Sequence, residues 1–94
     1  MKEDCLKIIE HYGVNHQQRK LAEEVFELQE AIFANWYDTD GVTDVGYVEH
    51  IREEIADVMV ILKQIQYYYE IPDEEIEDVM KYKVQRTLKR MEKE

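Results

Sequence analysis

Two stretches of the chain carry the same arrangement of apolar and acidic positions. Leu21-Ala22-Glu23-Glu24-Val25-Phe26-Glu27-Leu28-Gln29-Glu30-Ala31-Ile32 aligns without a gap on Ile51-Arg52-Glu53-Glu54-Ile55-Ala56-Asp57-Val58-Met59-Val60-Ile61-Leu62. Each runs aliphatic, any residue, Glu-Glu, aliphatic, any residue, acid, aliphatic, and closes on a further aliphatic four positions on. At about 100° per residue on a helix, Leu21, Val25, Leu28 and Ile32 share one stripe, with Glu24 and Glu27 together beside its edge. Ile51, Ile55, Val58 and Leu62, with Glu54 and Asp57, repeat that geometry. Two such helices packed antiparallel through their stripes would bring four carboxylates face to face.

The rest of the pattern is helical as well. Leu6, Ile9 and Tyr12 predict a first helix over Lys2 to Tyr12, with Gly13 as its stop. Asn15 is the expected cap of a second helix, with Gln18 in the capping-box position, running to about Trp36. Tyr37 to Gly46 collects Asp38, Thr39, Asp40, Gly41, Thr43 and Asp44 and predicts a loop. A third helix is expected from about Tyr47 to Tyr69, then a turn at Ile71-Pro72. Asp73 is the expected cap of a fourth helix carrying Ile76, Val79, Met80, Val84, Leu88 and Met91. No alternating strand pattern stands out, so the expected fold is all-α: a single domain over residues 1–94, about four helices around an antiparallel central pair.

Ala22, Phe26 and Phe33 form a second apolar stripe on the second helix, and Met59 widens the arc on the third. An arc of roughly 160° exceeds what one partner helix covers. The first and last helices and a second subunit are both expected to pack there, giving a bundle completed by dimerisation, as a homodimer or a homotetramer of two such dimers.

Composition narrows the function classes. Twenty-two acids against twelve bases give a formal charge of −10, which argues against nucleic acid or anionic membrane as a partner. No apolar run reaches the length of a membrane span. The single cysteine, Cys5, excludes an intrachain disulfide and suits a reducing compartment, so a cytoplasmic location is expected.

Acidic pairs beside an apolar stripe are most often a solvated helix face. Like charges at neighbouring helical positions cost about 0.2–0.5 kcal/mol per pair, however, and both units carry Glu-Glu-x-x-acid in the same register. Local rules broken twice in register point to a site that needs the charge. Oxygen-only ligands favour a hard cation, Mg2+ above all, with Mn2+ able to substitute. A di-iron bundle requires Glu-x-x-His motifs. His11, His16 and His50 follow Ile8, Gly13 and Tyr47 at that spacing, so none supplies one. Asp38, Asp40 and Asp44 do not make a calcium loop, because Gly41 falls at the fourth position rather than the sixth. Lys83 and Arg86, in the basic end of the fourth helix, and Lys20, one turn before Glu24, are candidate phosphate contacts. Trp36 and Tyr37 are candidates for stacking on a nucleobase.

These residues resemble a family. Glu24-x-x-Glu27 and Glu54-x-x-Asp57, within Leu21 to Leu28 and Glu53 to Val58, are similar to the E-E-x-x-E, gap, E-x-x-D signature of the MazG-like all-α nucleoside triphosphate pyrophosphohydrolases. The likeness covers about residues 14 to 90, more loosely at Lys83-Val84-Gln85-Arg86. It implies Mg2+-dependent attack of water between the α- and β-phosphates, giving a nucleoside monophosphate and pyrophosphate. It implies that Glu24, Glu27, Glu54 and Asp57 are the metal ligands, and that the enzyme is an obligate dimer. Glu23 and Glu53 are candidates for a supporting contact or the general base. The competing reading is a non-catalytic acidic helical module, a regulatory dimer that binds a basic partner without metal.

Overall fold

The computed structural model describes residues 1–39 and 45–94, and the side chains of 1–34 and 46–94. Four helices follow one another: α1 (Lys2–Tyr12), α2 (Val14–Thr39), α3 (Val45–Tyr68) and α4 (Asp73–Met91). Among the described residues there is no strand. Among those residues, too, no helix is long and apolar enough to cross a membrane. The bounds of α1 match the sequence expectation, and Gly13 ends it at φ 91°, with its N–H donating to the Ile9 carbonyl at 2.8 Å. Helix α2 starts immediately after, at Val14, so Asn15 lies inside its first turn rather than capping it. Gln18, expected in a capping box, donates instead to the Tyr69 hydroxyl at 3.3 Å. The connection between α2 and α3 is shorter than expected, because Tyr37 to Thr39 continue α2 and Val45 and Gly46 already belong to α3.

Helices α2 and α3 form the central pair. The Gln17 amide donates to Gln64 at 2.7 Å, while farther along α2 Glu24 and Glu27 meet Glu54. As one number rises the other falls, so the two helices run antiparallel. Their seam keeps Leu21, Leu28, Ile51 and Val58 of the expected stripe but not its other four members. On α2 the buried or half-buried line is Gln17, Leu21, Glu24, Leu28 and Ala31; on α3 it is Ile51, Glu54, Val58, Ile61 and Ile65. The steps of three and four are those of a coiled-coil seam, and one acid of each unit stands in it. Val25, Ile32, Ile55 and Leu62 are pushed to the rim and stay between 38% and 47% exposed. Helix α1 lies against α3 and more lightly against α2, burying Cys5 and Ile9.

Helix α4 departs from the expected bundle. Beyond its first turn it packs on none of the other helices among the described residues, and none of its residues is buried. The Cα radius of gyration is 16.5 Å, against about 12 Å for a compact domain of this length. The expectation that the last helix covers the central pair within one chain is therefore corrected: the packed unit is α1 to α3, with α4 as an arm.

The root of that arm is fixed by Asp73. Its side chain makes no capping bond, and Pro72 holds the N-cap position. Instead the Asp73 carboxylate accepts hydrogen bonds from Lys63 Nζ at 2.7 Å, Gln66 Nε2 at 2.8 Å and the Tyr67 hydroxyl at 3.0 Å. These donors, Lys63 foremost, lower its pKa from 3.8 to about 2. A lowered acid stabilises the fold above its ordinary pKa, and the contribution is lost as pH falls from 3.8 through about 2. Asp73→Asn is expected to lower the melting temperature at neutral pH and to flatten the acid limb of the stability profile across that window. Thermal melts of both proteins from pH 2 to 6 check it; parallel profiles would show that the junction carries no stability.

Candidate metal centre

Glu24, Glu27 and Glu54 each bring one carboxylate oxygen within 4.8 Å of the others. The helix pair makes this unavoidable. Glu24 and Glu54 stand in the seam, where heptad spacing turns them toward the facing helix, and Glu27 lies one turn after Glu24 on the same flank. The side chains of Glu24 and Glu54 are only 12% and 15% exposed. Each is met on one oxygen by a cationic or ionisable neighbour four residues earlier. Lys20 Nζ lies 3.4 Å from Glu24 Oε1, and His50 Nε2 lies 3.3 Å from Glu54 Oε1. The second oxygens, Glu24 Oε2 and Glu54 Oε2, are buried and have no hydrogen-bond partner. Buried polar atoms are almost always paired, and a lone carboxylate oxygen costs its full desolvation. Two of them in one cluster mark a place for something positive.

Electrostatics agree with the geometry. The Glu27 carboxyl is raised above its ordinary pKa of 4.5. The main cause is the charge of Glu24, followed by loss of solvent and the charge of Glu54; Lys20 pulls the other way. The site therefore resists holding all its negative charge while no cation is present.

Asp57 is not drawn into this trio. It lies one turn beyond Glu54, is exposed, and lines a neighbouring cavity of about 360 Å³ together with Glu24 and Lys20. That cavity runs beneath α1, where Tyr12, His16, Gln17 and Gln64 also face it. The Tyr12 and His16 rings stack with centroids 5.2 Å apart, and His16 Nδ1 lies 2.7 Å from Gln17 Oε1. Glu30, Ala31, Ala34 and His50 flank the cluster on its other side. A larger groove, about 670 Å³, lies at the α3–α4 turn between Lys2, Leu6 and Tyr67, with Glu10, Glu70, Asp73 and Glu74 on its walls; Asp73 is already bonded to three donors.

Of the other residues singled out by sequence, Glu23 and Glu53 are exposed and outside the trio. Lys83 and Arg86 sit on α4 beyond its first turn, where among the described residues it packs on neither α2 nor α3. The Trp36 side chain lies outside the described residues, as do the side chains of Tyr37, Asp38, Asp40 and Asp44. Sequence reasoning weighed His16 and His50 only as di-iron ligands, took Tyr12 only as a position of the first helix, and passed over Gln17. Spacing held the signal: His50 is four residues before Glu54, the position Lys20 takes before Glu24, and Gln17 is one heptad before Glu24.

Searches against protein-family models, curated proteins and solved structures find no match to this chain.

Proposed function

We propose that the chain is a Mg2+-dependent nucleoside triphosphate pyrophosphohydrolase, cleaving between the α- and β-phosphates to release a nucleoside monophosphate and pyrophosphate. The observation that carries this reading is the pair of buried, unpartnered oxygens of Glu24 and Glu54 beside Glu27. An oxygen-only donor set at that spacing suits a hard divalent cation that keeps some of its waters. The resemblance of the two acidic units to the MazG-like signature supplies the reaction class.

In this reading Glu24, Glu27 and Glu54 would hold the cation, and Asp57, one turn beyond Glu54, would be the fourth carboxylate of the set. Bound Mg2+ would neutralise the triphosphate and lower the pKa of a coordinated water. Lys20, beside Glu24 and facing the cavity, contacts a phosphate oxygen. Glu23 and Glu53, exposed at the equivalent place in each unit, are the candidates to take the proton from the attacking water. Water adds its oxygen to phosphorus, the bridging anhydride bond breaks, and pyrophosphate leaves with the electron pair. A second copy covers the exposed rim of Val25, Ile32, Ile55 and Leu62, which gives the dimer.

Incubation with a panel of ribo- and deoxyribonucleoside triphosphates, with product identification, tests the proposal. Equimolar monophosphate and pyrophosphate, formed only with Mg2+ or Mn2+, is the expected result. Release of orthophosphate with a diphosphate, or no turnover on any member, would overturn it.

A further inference from the structure

The cavity of about 360 Å³ beneath α1 is lined by a polar chain that the metal centre does not use. His16 Nδ1 lies 2.7 Å from Gln17 Oε1, and Gln17 Nε2 donates to Gln64 Oε1 at 2.7 Å. Gln17 and Gln64 are each only 3% exposed, and both line the cavity. Gln64 Nε2 makes no hydrogen bond among the described residues. Buried amides are costly unless each donor and acceptor finds a partner, and the one end left over here is turned to the cavity.

The chain can run in either direction. An amide exchanges donor for acceptor by a half-turn about its last bond, and a neutral imidazole does so by changing tautomer. With a proton on His16 Nδ1, Gln17 Oε1 accepts it, Gln17 Nε2 donates to Gln64 Oε1, and Gln64 offers an N–H to the cavity. With His16 Nδ1 bare, both amides turn over and Gln64 offers its carbonyl instead. Each bond within the chain survives the exchange.

We infer that the His16–Gln17–Gln64 chain reads the edge of a nucleobase in either sense, so that the site takes amino- and oxo-substituted bases alike. The ligand class rests on the nucleotide reading proposed above. Placement supports it. Gln17, Lys20 and Glu24 stand at successive turns of α2 and line the same cavity, which sets Gln17 about 10 Å along the helix axis from Glu24. That rise separates a base at the amides from phosphates at Lys20 and the carboxylates. The Tyr12 and His16 rings, stacked with an interplanar angle of 20°, line the cavity as well and offer an aromatic face beside the amides. Cytosine would give its exocyclic amino group to the Gln64 carbonyl, and uracil would take the Gln64 N–H on its exocyclic oxygen.

Titration of the metal-free, isotope-labelled chain with cytidine and uridine monophosphates, followed on the glutamine side-chain amide resonances, tests it. The wild type should bind the two within about threefold of each other, with the Gln64 signals shifting for both. His16 is exposed, so its replacement leaves the packing alone. His16→Asp supplies only acceptors and fixes the Gln64 carbonyl toward the cavity, which should favour the cytidine ligand by roughly tenfold. His16→Lys supplies only donors and should favour the uridine ligand by a similar factor. Either new charge acts equally on the two phosphates, so the ratio of affinities reports the chain. In a Gln17→Met background, which cuts the chain, neither change at His16 should move that ratio. The ligands are bound and not hydrolysed, so this pattern would uphold the inference even if no triphosphate were turned over. No binding of one or both monophosphates by the wild type would overturn it. So would a ratio that the two His16 variants leave unmoved or move the same way, or a shift that survives Gln17→Met.

Discussion

Glu54→Gln is expected to reduce Mg2+-dependent hydrolysis by roughly 100-fold or more while leaving the metal-free protein as stable as the wild type or more so. The estimate is a floor, since changes to residues that merely support metal ligands already cost about 10–100-fold. The substitution keeps the shape of a side chain that stands in the α2–α3 seam, so packing is preserved. It removes one of three carboxylates whose oxygens lie within 4.8 Å, and with it part of the repulsion that raises Glu27. The new amide also offers an N–H in a place where Glu24 Oε2 has no donor. Loss of the His50 contact at 3.3 Å works in the other direction, but such pairs contribute only about 0.3–0.5 kcal/mol on a helix. Thermal melts without metal, paired with a pyrophosphate-release assay, read both effects. A solvated acidic face predicts neither: turnover would be unchanged.

The second large effect is the response to metal. A cation present at 100 times its dissociation constant stabilises the folded state by about 2.7 kcal/mol. In a domain of this size each kcal/mol moves the melting temperature by about 4–8 °C, so Mg2+ or Mn2+ should raise it by about 10 °C or more. The rise should grow with pH. Glu27 has a raised folded-state pKa, so its ionisation costs the metal-free fold nothing below 4.5 and progressively more as pH climbs through the raised value. Metal requires the carboxylate form, and its binding must displace whatever proton Glu27 still holds. Melts at several pH values, with and without metal, check this. A shift that is absent, or that shrinks as pH rises, would contradict it.

Much of the architecture was legible because helical periodicity and the breaks at Gly13 and Ile71-Pro72 are strong local signals. The bounds of α1 and the start of α4 follow from them directly. The central seam was misplaced by one position on each helix for an instructive reason. Periodicity assigns the seam to apolar residues, so Val25, Ile32, Ile55 and Leu62 looked like core, and Glu24 and Glu54 looked like its border. The structure puts the two glutamates inside and leaves those four aliphatics at the rim. A site that needs buried charge breaks the pattern from which burial is inferred. That same break is why the repeat of Glu24 and Glu54 was visible at all.

Other features were beyond local rules. Asp73 has the spacing of a helix cap, yet its partners are Lys63, Gln66 and Tyr67 on the preceding helix. That pairing depends on the turn geometry. Lys83 and Arg86 could be recognised as basic residues near a helix end, but whether they face the acids depends on where the whole helix goes. Helix α4 has every local mark of a bundle member, and nothing in its own pattern says that it stays off α2 and α3.

Titration of metal-free protein with Mn2+ bears most directly on the carboxylate cluster, using Glu24→Gln and Glu23→Gln as neighbouring substitutions of equal charge. Glu24 is in the seam with an unpartnered buried oxygen, whereas Glu23 is exposed and outside the trio. Saturable binding by the wild type and by Glu23→Gln, with a loss of roughly tenfold or more in affinity for Glu24→Gln, is the expected result. Equal weakening by both substitutions, or no saturable binding in the wild type, would show that the cluster is only an acidic surface.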